Sequence, residues 1–225
     1  MNDKSDKADQ GFTLIEMIGV LAVVAVLAAM ILPKVFDVIA SSKIDALAAA
    51  VKTYETSVTQ YYVDIGSVLP LNASGIPQTQ NNGNSATARS LAARLTLSSS
   101  DALVTGTNLW PKFNGPYLEK FDTSSPPSLG TNMYIPARAA SSYGTAATGN
   151  NLAWDLKGDD GNSDLKSGAY VVYLRLTGLG EDDFLALDRI IDSGIGSNDT
   201  EKELRGRAKW HSGSSGTLYL YLAHR

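Results

Sequence analysis

The sequence predicts an α+β fold in which one long N-terminal helix packs against an antiparallel β-sheet. Three observations indicate this architecture. An uninterrupted apolar run covers residues 12–32, an apolar stripe at helical spacing continues to residue 65, and segments rich in β-branched and aromatic residues follow in the C-terminal half. A helix with one apolar stripe buries that stripe against another layer, so a sheet laid on the second part of the helix is the simplest arrangement.

The apolar run belongs to the first predicted helix. Phe12 to Leu32 is 21 residues long, and no charged or strongly polar side chain occurs from Met17 to Leu32. At about 1.5 Å per residue, a helix of this length reaches roughly 30 Å, the thickness of a membrane's hydrocarbon core. We therefore predict a membrane-spanning helix. Pro33 ends the run, and it predicts a kink or a local melting of the helix at that point.

Helical periodicity continues beyond Pro33. Apolar side chains recur at steps of three and four residues, and charged residues lie mostly off this stripe. The stripe comprises Ile44, Leu47, Ala48, Val51, Tyr54, Val58, Tyr61 and Ile65. Gly66 is a helix-stop signal, and Pro70 follows it closely. The pattern predicts an amphipathic helix that leads into a soluble region.

The rest of the chain predicts a globular region with short elements. Residues 67–88 are rich in Asn, Ser, Gly, Gln and Thr and predict an irregular surface loop. The predicted elements are a helix at Ser90–Leu97, strands at Met133–Pro136, Ala169–Thr177 and Thr217–Ala223, and a helix at Glu181–Ile191 that Gly194 stops. Their predicted inward residues are Leu91 and Leu95 in the first of these helices, and Leu185, Leu187, Ile190 and Ile191 in the second.

Composition argues against several classes of function. The net charge of −4 and the pI near 5.2 argue against a nucleic-acid partner. The chain has no Cys, which excludes disulfides, cysteine nucleophiles and zinc–thiolate sites. His211 and His224 are the only histidines, so neither a histidine-rich metal site nor a catalytic His is expected.

A short segment at the start of the apolar run carries the clearest functional signal. Residues 11–16 are Gly-Phe-Thr-Leu-Ile-Glu, and Glu16 is a lone carboxylate at the head of the run. A charge in an apolar helix is costly and therefore indicates a function. A secretory signal peptide fits poorly, because its apolar core is shorter, its start is more basic and its cleavage site follows the core. A simple N-terminal anchor remains the alternative.

This segment resembles the cleavage and methylation signal of type IV prepilins and of the pseudopilins of type II secretion. The resemblance covers about the first 50 residues. It implies that a membrane peptidase cuts between Gly11 and Phe12 and then methylates the new amino terminus of Phe12. Glu16 matches the family's acidic residue, and Pro33 matches the proline that commonly interrupts the family's helix. The leader departs from the family pattern, because its acidic residues offset its lysines.

The resemblance also implies a role for the lone carboxylate. In a filament, the Phe12 amine of one subunit would pair with Glu16 of a neighbour inside an apolar core. Such pairing offsets much of the cost of burying a carboxylate, and it fixes the axial register because any slip leaves a charge unpaired. The alternative is that Glu16 lies at the level of the lipid headgroups and is solvated there.

The resemblance divides the chain into a leader (1–11), a transmembrane and assembly helix (12–33), an amphipathic helix (34–66) and a globular pilin-like head (67–225). It implies a single pass through the bacterial inner membrane with the head outside the cytoplasm, followed by an extracellular or periplasmic filament. The implied partners are prepilin peptidase, an inner-membrane assembly platform and further copies of the chain in a helical homopolymer. Nucleic acid is not expected.

An acidic loop is the other candidate site. Asp155, Asp159, Asp160, Asn162 and Asp164 could supply hard oxygen ligands to Ca²⁺. An EF-hand is excluded, because the loop lacks the required Gly and the closing Glu. The resemblance favours calcium, since pseudopilins often carry a calcium-stapled loop in the head. A solvated turn is the alternative, because Asp, Asn and Gly favour turns.

The sequence thus predicts a non-enzymatic structural subunit of a type IV pilus or a related filament. A type II secretion pseudopilin that drives protein export is the alternative within the same resemblance. Two further alternatives are a binding head, such as an adhesin or a DNA-uptake subunit, and a membrane-anchored envelope enzyme. For the enzyme, Asp159 and Asp182 could be nominated as the two carboxylates of glycoside chemistry, although nothing in their spacing favours this pair over other surface acids.

Overall fold

The computed structural model describes residues 12–72, 74–78, 91–100, 110, 112–121, 129–139, 154–157, 163–166, 169–195, 205–211 and 216–225. The helices in these ranges are α1 (Leu14–Ile65), α2 (Leu91–Leu95) and α3 (Glu181–Ile191). The strands are β1 (Asn132–Tyr134), β2 (Ala137–Ala139), β3 (Tyr170–Thr177), β4 (Ala208–His211) and β5 (Thr217–His224). The chain divides into two compact units, Met1–Ser42 and Lys43–Arg225. We call residues 14–42 the apolar half of α1 and residues 43–65 its packed half.

The helix α1 is 52 residues long and contains Pro33. The prediction that the helix melts or is interrupted at Pro33 is wrong, because helical backbone continues on both sides of it. Proline removes one backbone donor, but the helical turns on either side of it keep their own hydrogen bonds. The predicted stop is confirmed: Gly66 has φ +74°, and its N–H donates to the Tyr62 carbonyl at 2.7 Å.

The sheet is antiparallel and four strands wide, in the order β1–β3–β5–β4. β2 pairs with the same edge of β3 as β1, but at the start of that strand, whereas β1 pairs with its end. β3 and β5 form the centre, where Leu174 lies opposite Leu220. The sequence located β1, β3 and β5 approximately and α3 at its observed bounds, whereas β2 and β4 were not predicted. The α+β class is therefore confirmed.

One apolar core joins the packed half of α1 to the sheet and to α2 and α3. All the predicted stripe residues are buried in it except Ile65, which is partly buried against it. Leu91 and Leu95 of α2 are buried as predicted. In α3 the buried apolar residues are Phe184 and Leu187. The predicted inward position of Ile190 is wrong, because it lies off that face and is 45% exposed.

The opposite face of the sheet carries a smaller apolar cluster. Trp154 and Leu165 pack there on Val171 and Tyr173, which alternate along β3 with residues of the main core. The N–H of Asp164 donates to the Trp154 carbonyl at 2.8 Å and ties together the two segments that form this cover. The sheet is therefore packed on both faces.

Candidate functional site

The apolar half of α1 presents hydrophobic side chains on every side. All residues from Phe12 to Ser42 are exposed, and Phe12 itself is 79% exposed. An 18-residue window of α1 is long and apolar enough to cross a membrane, and none of that window is buried inside the chain. Contiguous apolar surface of this size marks a contact with a membrane or with another protein. This segment therefore fits an apolar environment outside its own chain.

The exposed apolar surface does not end at Pro33. Beyond it the exposed large side chains are Val35, Phe36, Val38 and Ile39. Charged residues interrupt this stretch only at Lys34 and Asp37. The exposed apolar surface of α1 therefore continues beyond the transmembrane helix that the sequence predicts at residues 12–33.

Thr13 and Glu16 form a reciprocal cap at the start of α1. The N–H and the hydroxyl of Thr13 donate to Glu16 Oε2 at 2.8 and 2.7 Å, and the N–H of Glu16 donates to Thr13 Oγ1 at 3.4 Å. This is the Thr-x-x-Glu capping box, which satisfies backbone donors that a helix start leaves unpaired. Sequence reasoning missed the role of Thr13, although the Thr-x-x-Glu spacing was the signal that could have identified it.

The cap engages only one oxygen of the Glu16 carboxylate. Oε1 of Glu16 takes no hydrogen bond from the residues that the structure describes. An ammonium group from outside the chain can therefore approach this oxygen without breaking the cap. The geometry is compatible with the predicted pairing partner, the Phe12 amine of a neighbour.

The structure describes only some of the residues that the sequence predicts to take part in processing. Phe12 and Thr13 precede the first helical turn, and Gly11 lies outside the described residues. Phe12 and Glu16 are thus brought together at one end of α1, whereas Pro33 lies within the same helix, far from that end. The cleavage and methylation positions and the roles of Glu16 and Pro33 stay predictions.

Two of the five predicted calcium ligands are described, and each sits beside a cation. Lys157 donates to Asp164 twice, from its backbone N at 3.0 Å and from Nζ at 2.6 Å. Asp155 is buried, and its negative charge acts on Lys209. A calcium ion at Asp164 would therefore compete with the Lys157 ammonium.

The other predicted ligands, Asp159, Asp160 and Asn162, lie outside the described residues. Within the described ranges, no group of three or more acidic or histidine side chains is placed to hold a metal ion. The calcium site stays a prediction. For the alternative enzyme, Asp182 is exposed in the first turn of α3.

Comparison with known proteins identifies the N-terminal segment. A family model described as the prokaryotic N-terminal methylation motif matches residues 6–32. Searches of the curated proteins and of the solved structures give no significant match. The motif implies processing by a prepilin peptidase and filament assembly, and with the apolar helix it fits membrane anchoring before assembly. Proteins with this signal are structural rather than enzymatic. Residues 6–32 are the signal of type IV pilins and pseudopilins, and they support a protein of that class.

Proposed function

We propose that this chain is a structural subunit of a type IV pilus or of a closely related filament. A prepilin peptidase cuts between Gly11 and Phe12 and methylates Phe12. The mature chain resides in the bacterial inner membrane with its globular region outside the cytoplasm. An assembly platform then moves it into a helical homopolymer, which is extracellular or periplasmic. The chain itself catalyses no reaction.

The observation that carries this proposal is the exposed apolar surface that begins within the methylation motif and continues beyond it to Ile39. Lipid covers that surface before assembly, and the same segments of other copies cover it afterwards. Gly19 and the alanines at 22, 25 and 29 have small side chains that let two helices approach closely. One surface thus serves both environments without refolding.

Glu16 sets the position of each copy along the filament. Thr13 holds Oε2, which fixes the carboxylate at the start of α1. Oε1 then accepts from the methylated ammonium of Phe12 on a neighbouring copy. In an apolar interior a carboxylate with two such partners is far less costly than an unpaired one. A shifted register breaks the pair and is disfavoured.

Intact mass of the chain isolated from its native membrane or filament tests the processing step. We expect the loss of residues 1–11 and the gain of one methyl group. Gly11→Val should block cleavage, because a branched side chain at the cut site keeps the backbone from lying as close in the protease cleft as Gly allows. Gly19→Val is the matched control and should be cleaved normally, since a Cβ at Gly19 meets nothing within 4 Å. A native chain that still begins at Met1 would contradict the proposal.

Assembly is tested by Glu16→Gln, which removes the charge and keeps the size. We expect normal cleavage and at least a tenfold loss of filaments, which corresponds to about 1.4 kcal/mol of pairing energy. The control is Glu119→Gln, because Glu119 is exposed in the globular region. Wild-type filament yield from Glu16→Gln would remove the register role while leaving the processing step intact.

A type II secretion pseudopilin is the second candidate, and the same motif supports it. The two candidates differ in the location of the polymer, on the cell surface or in the periplasm, and in whether protein export depends on it. Electron microscopy of cells should show surface filaments that contain this chain if it is a pilus subunit. If deletion of the chain instead leaves exported proteins in the periplasm and no surface filament is found, the pseudopilin assignment holds.

A further inference from the structure

Two opposite charges interrupt the apolar half of α1. From Met17 to Ser42 the only charged residues are Lys34 and Asp37, and the side chains around them are exposed and mostly apolar. The two charges lie three residues apart on one helix, yet among the residues that the structure describes neither of them makes an ion pair. A cation that precedes the anion is the weaker order for a pair within one helix. Both charges are therefore open to a partner from outside the chain.

The order and the spacing of these two charges nearly repeat those at the start of the mature chain. There the proposed pairing joins the Phe12 amine of one copy to Glu16 of a neighbour, which shifts the two copies along the helix axis by about four residues, or roughly 6 Å. The same shift brings Lys34 of one copy to within about one residue, or roughly 1.5 Å, of the level of Asp37 on the neighbour. The flexible four-carbon stem of a lysine covers that difference.

The charges also share one face of the helix. Because α1 is helical from Leu14 onward and continues through Pro33, its periodicity relates Glu16 to the two later charges. At about 3.6 residues per turn, Glu16, Lys34 and Asp37 fall within about 60° of one another around the axis. We call these three residues the charged face of α1. A neighbour that contacts this face at Glu16 therefore also lies against Lys34 and Asp37.

We propose that Lys34 of one copy pairs with Asp37 of a neighbouring copy and that this pair fixes the register of the filament a second time. The inference rests on the proposed function, because its partner is a second copy of this chain. The exposed apolar side chains at 35, 36, 38 and 39 surround the pair, and they exclude water when copies pack. An unpaired charge at this position is then costly, so a slipped register is disfavoured at both ends of the apolar half.

Charge reversal tests the pair in the full-length chain, with each variant replacing the native chain in its own cells. Lys34→Asp and Asp37→Lys should each lower the yield of filaments at least tenfold, because like charges then meet between copies. The double variant Lys34→Asp/Asp37→Lys should recover the wild-type yield, because it restores opposite charges. Intact mass should show normal cleavage and methylation of all three variants, which separates assembly from processing.

Co-expression of the two single variants distinguishes a pair between copies from a pair within one copy. Each single variant carries two like charges, so neither can form a pair within its own chain. A Lys34→Asp copy beside an Asp37→Lys copy nevertheless has opposite charges where the two copies meet. We expect filaments that contain both chains in similar amounts. If the mixture forms no filaments, the proposal is overturned.

Lys43→Asp is the matched control for Lys34→Asp. Lys43 is exposed on the same helix, and it follows Lys34 by nine residues, or about two and a half turns, so it does not belong to the charged face. This control should assemble as the wild type does. Wild-type yield from both single variants would overturn the pairing and leave the proposed function intact. A wild-type chain that forms no filament would overturn the proposed function and the pairing together.

Discussion

The two halves of α1 have opposite environments although they form one helix. Every residue of the apolar half is exposed, whereas the packed half buries a stripe that ends with Tyr61. One serine from each half shows the same difference. Among the residues that the structure describes, Ser42 donates to Val38 of its own helix, whereas Ser57 donates to Thr53 of its own helix and also to the Tyr117 carbonyl at 2.8 Å. The packed half thus finds its partners inside the chain, and the apolar half needs partners from outside it.

The largest contrast should come from one substitution made in each half. Leu47 is fully buried and Leu27 is 53% exposed. Leu47→Ala should lower the free energy of unfolding by about 3 kcal/mol, because it removes buried methyl groups and leaves a cavity. Leu27→Ala should leave that quantity unchanged and instead reduce filament yield. Denaturant unfolding followed by tyrosine and tryptophan fluorescence measures the first effect. Equal destabilisation by both substitutions would contradict the comparison.

A second prediction concerns the Asp192 carboxylate, whose two hydrogen bonds join the end of α3 to the start of β4. Asp192 is buried, and its Oδ2 accepts from the N–H groups of Arg207 and Ala208, both at 2.7 Å. Asp192→Ala should lower the free energy of unfolding by about 2 kcal/mol, because one buried and one partly buried N–H group lose their acceptor. Denaturant unfolding again measures the change. If Asp192→Ala unfolds at the wild-type midpoint, these donors must find water instead.

The charge of Asp192 predicts a pH dependence with a definite sign. Burial raises its pKa above the ordinary value of 3.8, although the N–H groups of Ala208 and Arg207 partly oppose this. The folded state therefore binds the proton more tightly, so this group's stabilising contribution is present below about pH 3.8 and is lost as pH rises through the raised pKa. Asp192→Asn keeps an acceptor and removes the charge. It should match or exceed wild-type stability at pH 7, with a flatter profile above pH 3.8.

A smaller effect is expected where the packed half of α1 meets the loop before the sheet. The Tyr117 hydroxyl donates to Asp64 Oδ2 at 2.7 Å and accepts from the Asn114 N–H at 3.0 Å. Tyr117→Phe removes both bonds but keeps the ring, so it should cost about 1 kcal/mol. Tyr62→Phe is the control, since Tyr62 lies at the exposed end of the helix. An identical unfolding midpoint for both variants would show that the bonds contribute nothing.

The regular parts of the molecule were predictable from sequence. The stripe of α1 repeats over many turns, and tertiary packing follows that repeat closely. Strands β3 and β5 are long and rich in β-branched and aromatic residues, which is why their positions were predicted closely. β4 was missed because it is short and because Lys209 within it is buried, so its pattern of apolar and charged residues did not indicate burial.

The sequence predicted what kind of site the N-terminal segment forms, but it did not predict all of the residues that take part. The motif and the apolar run indicated what the segment does, because both depend only on local sequence. The capping role of Thr13 was missed because Thr13 and Glu16 were interpreted only as part of the cleavage motif. Their hydrogen bond became visible only in the structure. The predicted melting at Pro33 was wrong, because a single lost backbone bond does not end a helix whose neighbouring turns are intact. The predicted kink there stays a prediction.

The smallest change in the free energy of unfolding should follow from the largest alteration of the chain, which is the removal of residues 1–42. The buried side chains of the main core begin at Ile44, so none of them is lost in this truncation. The shortened chain should therefore keep its free energy of unfolding within about 0.5 kcal/mol and remain soluble without detergent, because apolar surface is removed and no cavity is created. A matched truncation of residues 1–51 also deletes Leu47 and Val51 and should not fold. If the shorter deletion unfolded the chain as well, the apolar half would be stabilising the chain that carries it, and its partners would not lie outside.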